Sequence, residues 1–298
     1  MHNNNRHRNG YDLSLLKEEN PALLPFVFVN KFGNETVDFA KPEAVKALNT
    51  ALLKAHYNIV YWEFPNTNLC PAIPGRVDYI HYINDLLNQY RITNNITALD
   101  IGTGANCVYP LLGHKTYNWS FVGTEVNTEA LKSAKAIIER NKLDKVITFR
   151  QQQNDSSIFN GILTKTDHFA VTLCNPPFYK DETEALEATK RKLKGLGKPT
   201  DEVIRNFAGQ AQELWCKGGE KAFLHTYLYE SSLHKTNCFW YTSLVSNKDN
   251  IKSMQKSLKK LGATLVKTID MLQGNKKSRI VAWTFLTEKE QKVWTENL

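Results

Sequence analysis

The stretch ITALDIGTGANCVYPLLGHKTYNWSFVGTEV, residues 96–126, decides how the rest of the chain is read. Its first apolar run, Ile96 to Ile101, is too short for a helix and stops on glycine. Its last, WSFVGTEV (119–126), is a second run of the same kind, and NCVYPLLGHK (106–115) has room for one crossover helix between them. Strand, glycine turn, helix and strand in that order make the unit of a parallel sheet with helices on its faces. Gly102 and Gly104 follow Asp100 at the tip of the first strand, where glycine lets the backbone turn tightly and approach a ligand. The third glycine of the dinucleotide pattern is missing, with Cys107 in its place, which speaks against a nicotinamide cofactor. Glu125 ends the second strand about 20 residues after the glycines, where a carboxylate can accept both hydroxyls of a ribose. A lone G-x-G is weak, and Glu125 alone could be a solvated residue at a helix start. Together they fit an adenosine-containing cofactor.

The alternation continues outward. TEALKSAKAIIERN (128–141) puts Leu131, Ala134, Ile137 and Ile138 on one helical face, and KVITFRQ (145–151) is a strand. NCFWYTSLVS (237–246) is a further strand, and NIKSMQKSLKKLG (250–262) is a helix stopped by Gly262. ATLVKTIDML (263–272) and SRIVAWTFL (278–286) are too close for a crossover, so they predict a terminal hairpin. The expectation over residues 93–298 is an α/β, Rossmann-like domain with a doubly wound, mostly parallel sheet and an antiparallel last strand. Residues 1–92 read as a mostly helical N-terminal section. KPEAVKALNTALLKAHY (41–57) aligns Val45, Leu48, Leu52 and Leu53. RVDYIHYINDLLNQY (76–90) aligns Val77, Ile80, Ile83, Leu86 and Leu87, after the loop FPNTNLCPAIPG.

With 298 residues, 42% of them hydrophobic, the chain can bury one sizeable core. No apolar run approaches the ~20 residues of a membrane helix. The opening MHNNNRHRNG lacks a signal-peptide core, so a cytoplasmic protein without membrane contact is expected. Cys70, Cys107, Cys174, Cys216 and Cys238 stand singly, without zinc or redox spacing, so reduced thiols and no metal are expected. The net charge of +8 suits a polyanionic partner. Basic residues gather at Arg6, His7 and Arg8, in KRKLKGLGK (190–198) with Lys190, Arg191, Lys192 and Lys194, and at Lys276, Lys277 and Arg279. One such cluster reads equally as a solvated face; three favour a phosphate-binding track.

HFAVTLCNPPFYKDETEA (168–185) holds the second chemical signal. A buried strand, Phe169 to Cys174, stops on Asn175-Pro176-Pro177-Phe178. Proline has no N–H and biases the residue before it towards extended backbone. The segment therefore holds the Asn175 amide and the neighbouring carbonyls as fixed acceptors, with Phe178 as a flat apolar surface. That set suits a planar group carrying an NH2. An isolated Pro-Pro would be a strand stop with Phe178 in the core; here it stands in an α/β sheet that also carries the glycine loop and Glu125.

This pattern resembles the class I S-adenosylmethionine-dependent methyltransferases that act on amino groups, whose signature is Asn, Asp or Ser, then Pro-Pro, then an aromatic residue after the fourth strand. Further stretches are similar to the RlmF family of bacterial ribosomal RNA methyltransferases: NRHRNGYD (5–12), DFAKPEAVKALNTALLK (38–54), CPAIPGRVDYIHYINDLL (70–87), LDIGTGANCVYPLLG (99–113), LCNPPF (173–178), NFAGQAQELWCKGGE (206–220) and SRIVAWTF (278–285). The resemblance covers essentially the whole chain and extends more loosely to eukaryotic methyltransferase-16 relatives. It implies N6-methylation of a specific adenosine in 23S ribosomal RNA, with S-adenosylmethionine as cofactor and no metal; a monomer is expected. It implies that Arg76 meets the cofactor carboxylate, that Asn106 stands at the methionine end, and that Asp100, Gly102 and Gly104 shape the cofactor loop. Glu125 would bind the ribose, and Asn154, Asp155 or Ser156 would flank the adenine, Ser156 standing where relatives can carry threonine. Asn175, Pro176, Pro177 and Phe178 would be catalytic. The Asn175 amide and the Pro176 carbonyl would accept the two N–H bonds of an adenine amino group, and Phe178 would stack on the flipped-out base. The N-terminal section would cover the cofactor and hold RNA together with Arg6, Arg8, Lys190, Arg191, Lys192, Lys194, Lys276 and Lys277. Two other readings stand beside this one: a methyltransferase of another amino group, on DNA adenine or protein glutamine, and a non-catalytic RNA-binding protein of the same fold. No separate DNA-reading module is recognisable, and the intact motifs argue against loss of catalysis.

Overall fold

A computed structural model describes residues 1–39, 41–195, 213–273 and 276–296; the side chains of residues 189, 191–195, 273, 276 and 277 lie outside the description. After an arm of twelve residues come α1 (Leu13–Glu19) and a small hairpin, β1 (Val27–Val29) and β2 (Glu35–Val37). Two long helices follow, α2 (Pro42–Tyr57) and α3 (Ile73–Gln89). The alternating part runs β3 (Thr97–Ile101), α4 (Val108–Tyr117), β4 (Ser120–Glu125), α5 (Thr128–Arg140), β5 (Ile147–Gln151) and β6 (Phe169–Cys174). It continues with α6 (Glu182–Gly195), α7 (Gly219–Leu233), β7 (Cys238–Val245), α8 (Lys248–Leu261), β8 (Leu265–Gln273), β9 (Lys276–Thr284) and α9 (Glu288–Glu296).

Local chemistry sets several of these boundaries. Asn127 accepts hydrogen bonds from the Glu129 and Ala130 amides and so starts α5, a cap that contributes about 1 kcal/mol. Gly262 ends α8 in the left-handed region at φ 86°, as its sequence position predicts.

The large sheet has the order β5-β4-β3-β6-β7-β9-β8. From β5 to β7 the pairings are parallel, and β9 is antiparallel to both β7 and β8. The chain moves outward from β3 through β4 and β5, then returns to β6 on the other side of β3. Ligands of such sheets bind at the carboxyl ends of the strands beside this reversal. The expected α/β architecture and antiparallel last strand are both present. The last strand, however, lies inside the sheet and β8 takes the edge. Ile280, Val281, Ala282 and Trp283 are all buried, so β9 is apolar on both faces and needs neighbours on both sides. On β8 Thr268, Asp270 and Leu272 face solvent, which suits an edge.

Two layers of side chains cover the sheet. Ala98, Trp240, Leu244, Ile280 and Ala282 belong to one core; Leu99, Tyr241, Val245, Val281 and Trp283 belong to the other. Leu48, Leu52, Leu53, Val77, Ile80, Ile83, Leu86 and Leu87 enter the first core, so α2 and α3 pack continuously with the sheet. Val45 is only half-buried. Each such Leu or Ile contributes about 1.5–3 kcal/mol by burial, which fixes the N-terminal section over the sheet.

Candidate active site

Strand register brings the scattered signals together. Ile101 pairs with Thr124 on one side and Cys174 on the other. Gly102, Glu125 and Asn175 therefore emerge side by side from β3, β4 and β6, strands that lie roughly 4.8 Å apart. Glu125 pairs with Gln151, so the loop carrying Asn154, Asp155 and Ser156 leaves β5 next to it.

The glycine loop has room for a ligand. Gly102 and Gly104 sit at φ 70° and 65°, and a Cβ on Gly102 would meet nothing within 4 Å. The Gly104 amide donates to Glu125 Oε2 at 2.9 Å, while Glu125 Oε1 accepts from Val126 at 2.9 Å and Asn127 at 3.0 Å. A carboxylate has about four lone-pair directions, so acceptor capacity remains. Cys107, in place of the third glycine, adopts φ 40° and starts α4; its thiol is buried. The backbone there keeps a glycine-like conformation without the glycine.

Asp100 is 1% exposed, and neither carboxylate oxygen has a hydrogen-bond partner. Burial raises its carboxyl from the ordinary 3.8 to about 7. The Glu125 charge adds to the rise, and Thr103 and Arg76 oppose it. The Thr103 hydroxyl is close but outside hydrogen-bonding geometry, and it too is buried without a partner. Arg76, near the start of α3, donates to the Tyr109 hydroxyl at 2.9 Å and lies over that ring. An orphaned carboxylate, an orphaned hydroxyl and open backbone at φ > 0 fit a ligand that brings cationic N–H donors.

The N-terminal section reaches over this loop. Trp62 Nε1 donates to the Asn106 carbonyl at 2.9 Å, and Asn106 Nδ2 donates to the Leu69 carbonyl at 3.2 Å. Asn106 thus links the glycine loop to residues 62–69. The loop after β5 is held from the opposite side of the sheet. One oxygen of the buried Glu230 on α7 accepts the amides of Ile158, Phe159 and Asn160 at 3.0, 2.7 and 3.1 Å. Asn154, Asp155 and Ser156 are exposed, with Asn154 Oδ1 accepting the Ser156 amide at 2.9 Å.

Asn175 is half-buried, and among the described residues its side-chain amide has no hydrogen-bond partner. Pro176 is buried, and Pro177 and Phe178 are half-buried. A second segment holds the far end of this loop. The amides of Phe178 and Tyr179 donate to the Leu214 carbonyl at 2.8 and 3.0 Å, and the Cys216 amide donates to Tyr179 at 3.0 Å. Glu213 in turn accepts from Asn68 Nδ2 and from the Leu69 amide. Gly219 sits at φ 67° and a Cβ on it would lie 3.2 Å from the Lys180 nitrogen, so glycine at the start of α7 suits both the left-handed backbone and the close approach to this loop. Burial pushes the Cys174 thiol well up, so it packs as a neutral group and offers no nucleophile.

Trp62, Leu69, Glu213, Leu214, Gly219 and Glu230 escape sequence reading, because each acts through a partner distant along the chain. A Trp before a Pro-rich loop and a paired Gly218-Gly219 before α7 were the available signals.

The basic clusters share one end of the molecule in part. Val245 at the end of β7 pairs with Arg279, so the start of β9 at Lys276 and Lys277 lies at the carboxyl side of the sheet. The Met1 ammonium donates to the Leu272 carbonyl at 2.5 Å, and Leu272 pairs with Lys277, so the arm begins beside the end of β8. Arg6, Arg8 and Lys190 are exposed. The side chains of Arg191, Lys192, Lys194, Lys276 and Lys277 lie outside the described residues. His7 does not belong to the basic cluster: it is buried against Tyr57, and burial first, then the nearby His56 and Arg6, lower its pKa to about 4.

An apolar cavity of about 720 Å³ lies at the other end of the sheet, lined by Thr97, His168, Ala170 and Trp294 among others. A five-residue strand, roughly 16 Å, separates it from the orphaned polar groups. The chemistry is therefore placed at the carboxyl end. Among the described residues no cluster of three His, Cys, Asp or Glu could hold a metal, and no helix is long and apolar enough to cross a membrane.

A family model described as RNA methyltransferase matches residues 1–287. Ribosomal RNA large subunit methyltransferase F of Pectobacterium atrosepticum is 47% identical over 300 residues, covering 99% of this chain and 96% of the relative. That of Flavobacterium psychrophilum is 47% identical over 301 residues, again over 99% and 96%. Among solved structures, the hMettl16 catalytic domain in complex with MAT2A 3′UTR hairpin 6 is similar with a TM-score of 0.82 at 28% identity, over 97% of this chain and 98% of that one. The N-terminal domain of human METTL16 in complex with SAH gives 0.78 at 26% identity, over 96% and 99%.

Proposed function

The chain belongs to this family of RNA methyltransferases, and on that premise we propose that it methylates the N6 amino group of one adenosine in large-subunit ribosomal RNA. It is an S-adenosylmethionine-dependent enzyme of ribosomal RNA methylation. The observation that carries the amino-group target is Asn175, a half-buried amide without a partner among the described residues, held stiffly by Pro176 and Pro177 beside the glycine loop.

The residues present fit the cofactor. Asp100, Thr103 and the backbone of Gly102 and Gly104 would hold its cationic part, Glu125 its ribose, Arg76 and Asn106 its carboxylate end, and the Asn154–Ser156 loop would flank its adenine. When bound, the cofactor supplies an electrophilic methyl group on a sulfonium sulfur. The substrate amino group is a poor nucleophile because its lone pair is spread into the adenine ring. Asn175 Oδ1 and the Pro176 carbonyl would accept its two N–H bonds and localise that lone pair. Acceptors already fixed by the fold need no reorganisation as positive charge develops. The base must leave its stack to reach them, and Phe178 offers an aromatic face to it. Unpaired RNA suits this entry, with the N-terminal section and the basic residues on the phosphates.

Two measurements test the reading. Asn175→Ala should bind S-adenosylhomocysteine normally and lose turnover by roughly 100- to 1,000-fold, as removal of one preorganised group does. Nucleoside mass spectrometry of ribosomal RNA from cells lacking the gene should show one N6-methyladenosine missing from the large subunit. A full complement there would rule the target out.

A further inference from the structure

We infer that Tyr79, on α3, is a positioning residue for Asn175: its hydroxyl closes the gap where β7 stops pairing with β6, at the last backbone amide before Asn175. The inference rests on the reading of Asn175 given above. On its β3 side, β6 is paired up to Cys174. On its β7 side the paired residues are Phe169 with Cys238 and Val171 with Trp240, and there the pairing ends. Beyond that point the two strands are bridged through threonines. The Thr242 amide donates to Thr172 Oγ1 at 3.0 Å, and Thr242 Oγ1 donates to the Thr172 carbonyl at 2.5 Å.

Tyr79 is fully buried, and its hydroxyl lies 2.7 Å from Thr242 Oγ1 and 3.4 Å from the Cys174 amide nitrogen. The direction of each bond follows. The Thr242 proton is already directed at Thr172, so the Tyr79 O–H donates to Thr242. The lone pairs of Tyr79 are then left for the Cys174 N–H, the last amide before Asn175. The phenol takes the place that a β7 carbonyl would occupy in a continued ladder. Its ring is held edge-on against Tyr109, the residue that binds Arg76, so α3 joins the cofactor side of the site to the strand tip. Without the hydroxyl, the Cys174 N–H is buried and unpaired, and the end of β6 is free to shift. A displacement of about 1 Å in a reacting group can cost about 100-fold in rate, so a tip that only loosens should cost about tenfold.

Tyr227 supplies the control. It approaches from α7 with a fully buried ring, and its hydroxyl meets Thr172 Oγ1 at 2.5 Å and the Thr242 carbonyl at 3.1 Å, touching the same threonines without reaching Cys174. The test compares Tyr79→Phe with Tyr227→Phe in the full-length protein. Both should lower the melting temperature. Tyr79→Phe should cut kcat about tenfold at saturating RNA and S-adenosylmethionine. Its KM for RNA and its Kd for S-adenosylhomocysteine should stay within twofold, and amide hydrogen exchange across residues 174–179 should quicken. Tyr227→Phe should keep kcat within twofold of wild type. The inference is overturned if Tyr79→Phe retains wild-type kcat, if Tyr227→Phe loses as much, or if Tyr79→Phe loses S-adenosylhomocysteine affinity in step with kcat. Asn175→Ala separates the two ideas: an active Asn175→Ala refutes the reading of Asn175, whereas an inactive one beside a fully active Tyr79→Phe refutes only the role of Tyr79.

Discussion

Asp100→Asn tests the site without any turnover measurement. Burial pushes the Asp100 carboxyl up to about 7 from the ordinary 3.8. At about 1.4 kcal/mol per tenfold change in proton affinity, ionising it inside the fold costs roughly 4 kcal/mol. The sign follows from the raised value. Asp100 contributes its full stability below about pH 4 and loses it as the pH rises through 7. The asparagine variant has no such titration. Its stability relative to wild type should therefore climb by roughly 4 kcal/mol between pH 4 and 8, whatever constant difference the unpaired amide adds. His7 and His81, which burial holds near 4, titrate in the opposite sense between pH 4 and 6.5, but they do so in both proteins and cancel in the difference. Urea unfolding followed by circular dichroism at four pH values gives the curve. The second arm is S-adenosylhomocysteine binding. Its ammonium beside Asp100 should draw the carboxyl down again, so calorimetry near pH 7 in buffers of different ionisation enthalpy should show proton release in wild type and none in the variant. A difference curve flat to within about 1 kcal/mol would refute the burial argument, and equal proton release would remove Asp100 from the ligand.

Glu125→Ala should weaken S-adenosylhomocysteine binding by roughly 1.5–3 kcal/mol, the loss of a charge-assisted hydrogen bond; unchanged calorimetric affinity would exclude it from the site. Phe178→Ala should lose about 1–3 kcal/mol of RNA engagement and recover much of its single-turnover rate at saturating RNA, unlike Asn175→Ala. Neutralising Lys190, Arg191, Lys192 and Lys194 together should flatten the salt dependence of RNA binding by about 0.7 in log–log slope for each phosphate deprived of its cation, and an unaltered slope would make the segment a solvated face.

Much of the fold was legible because its signals are local. The apolar runs at 96–101 and 169–174, the glycines at 102 and 104 and the stop at Gly262 each follow from the period or the turn chemistry of a few neighbouring residues. Asn175 and Glu125 could be singled out because both stand where such a run ends. The placement of β9 inside the sheet was within reach too, since SRIVAWTFL is apolar on both faces and ATLVKTIDML is not. Other features exist only once distant residues meet. His7 sits between two arginines and reads as part of a basic cluster, yet packing against Tyr57 buries it and keeps it neutral. The register that sets Gly102, Glu125 and Asn175 side by side is a property of three paired strands. The hold of Leu214 on Phe178, of Glu230 on the loop after β5 and of Tyr79 on Cys174 spans 36, 71 and 95 residues respectively. Hydrogen bonds of that reach leave no periodic trace, because a side chain's partner is chosen by the packing of whole elements and not by its neighbours in the chain. The sequence by itself determined which chemical groups are present and that they stand at strand ends. The tertiary structure alone decided which of them meet, and which buried acceptors are left for a ligand.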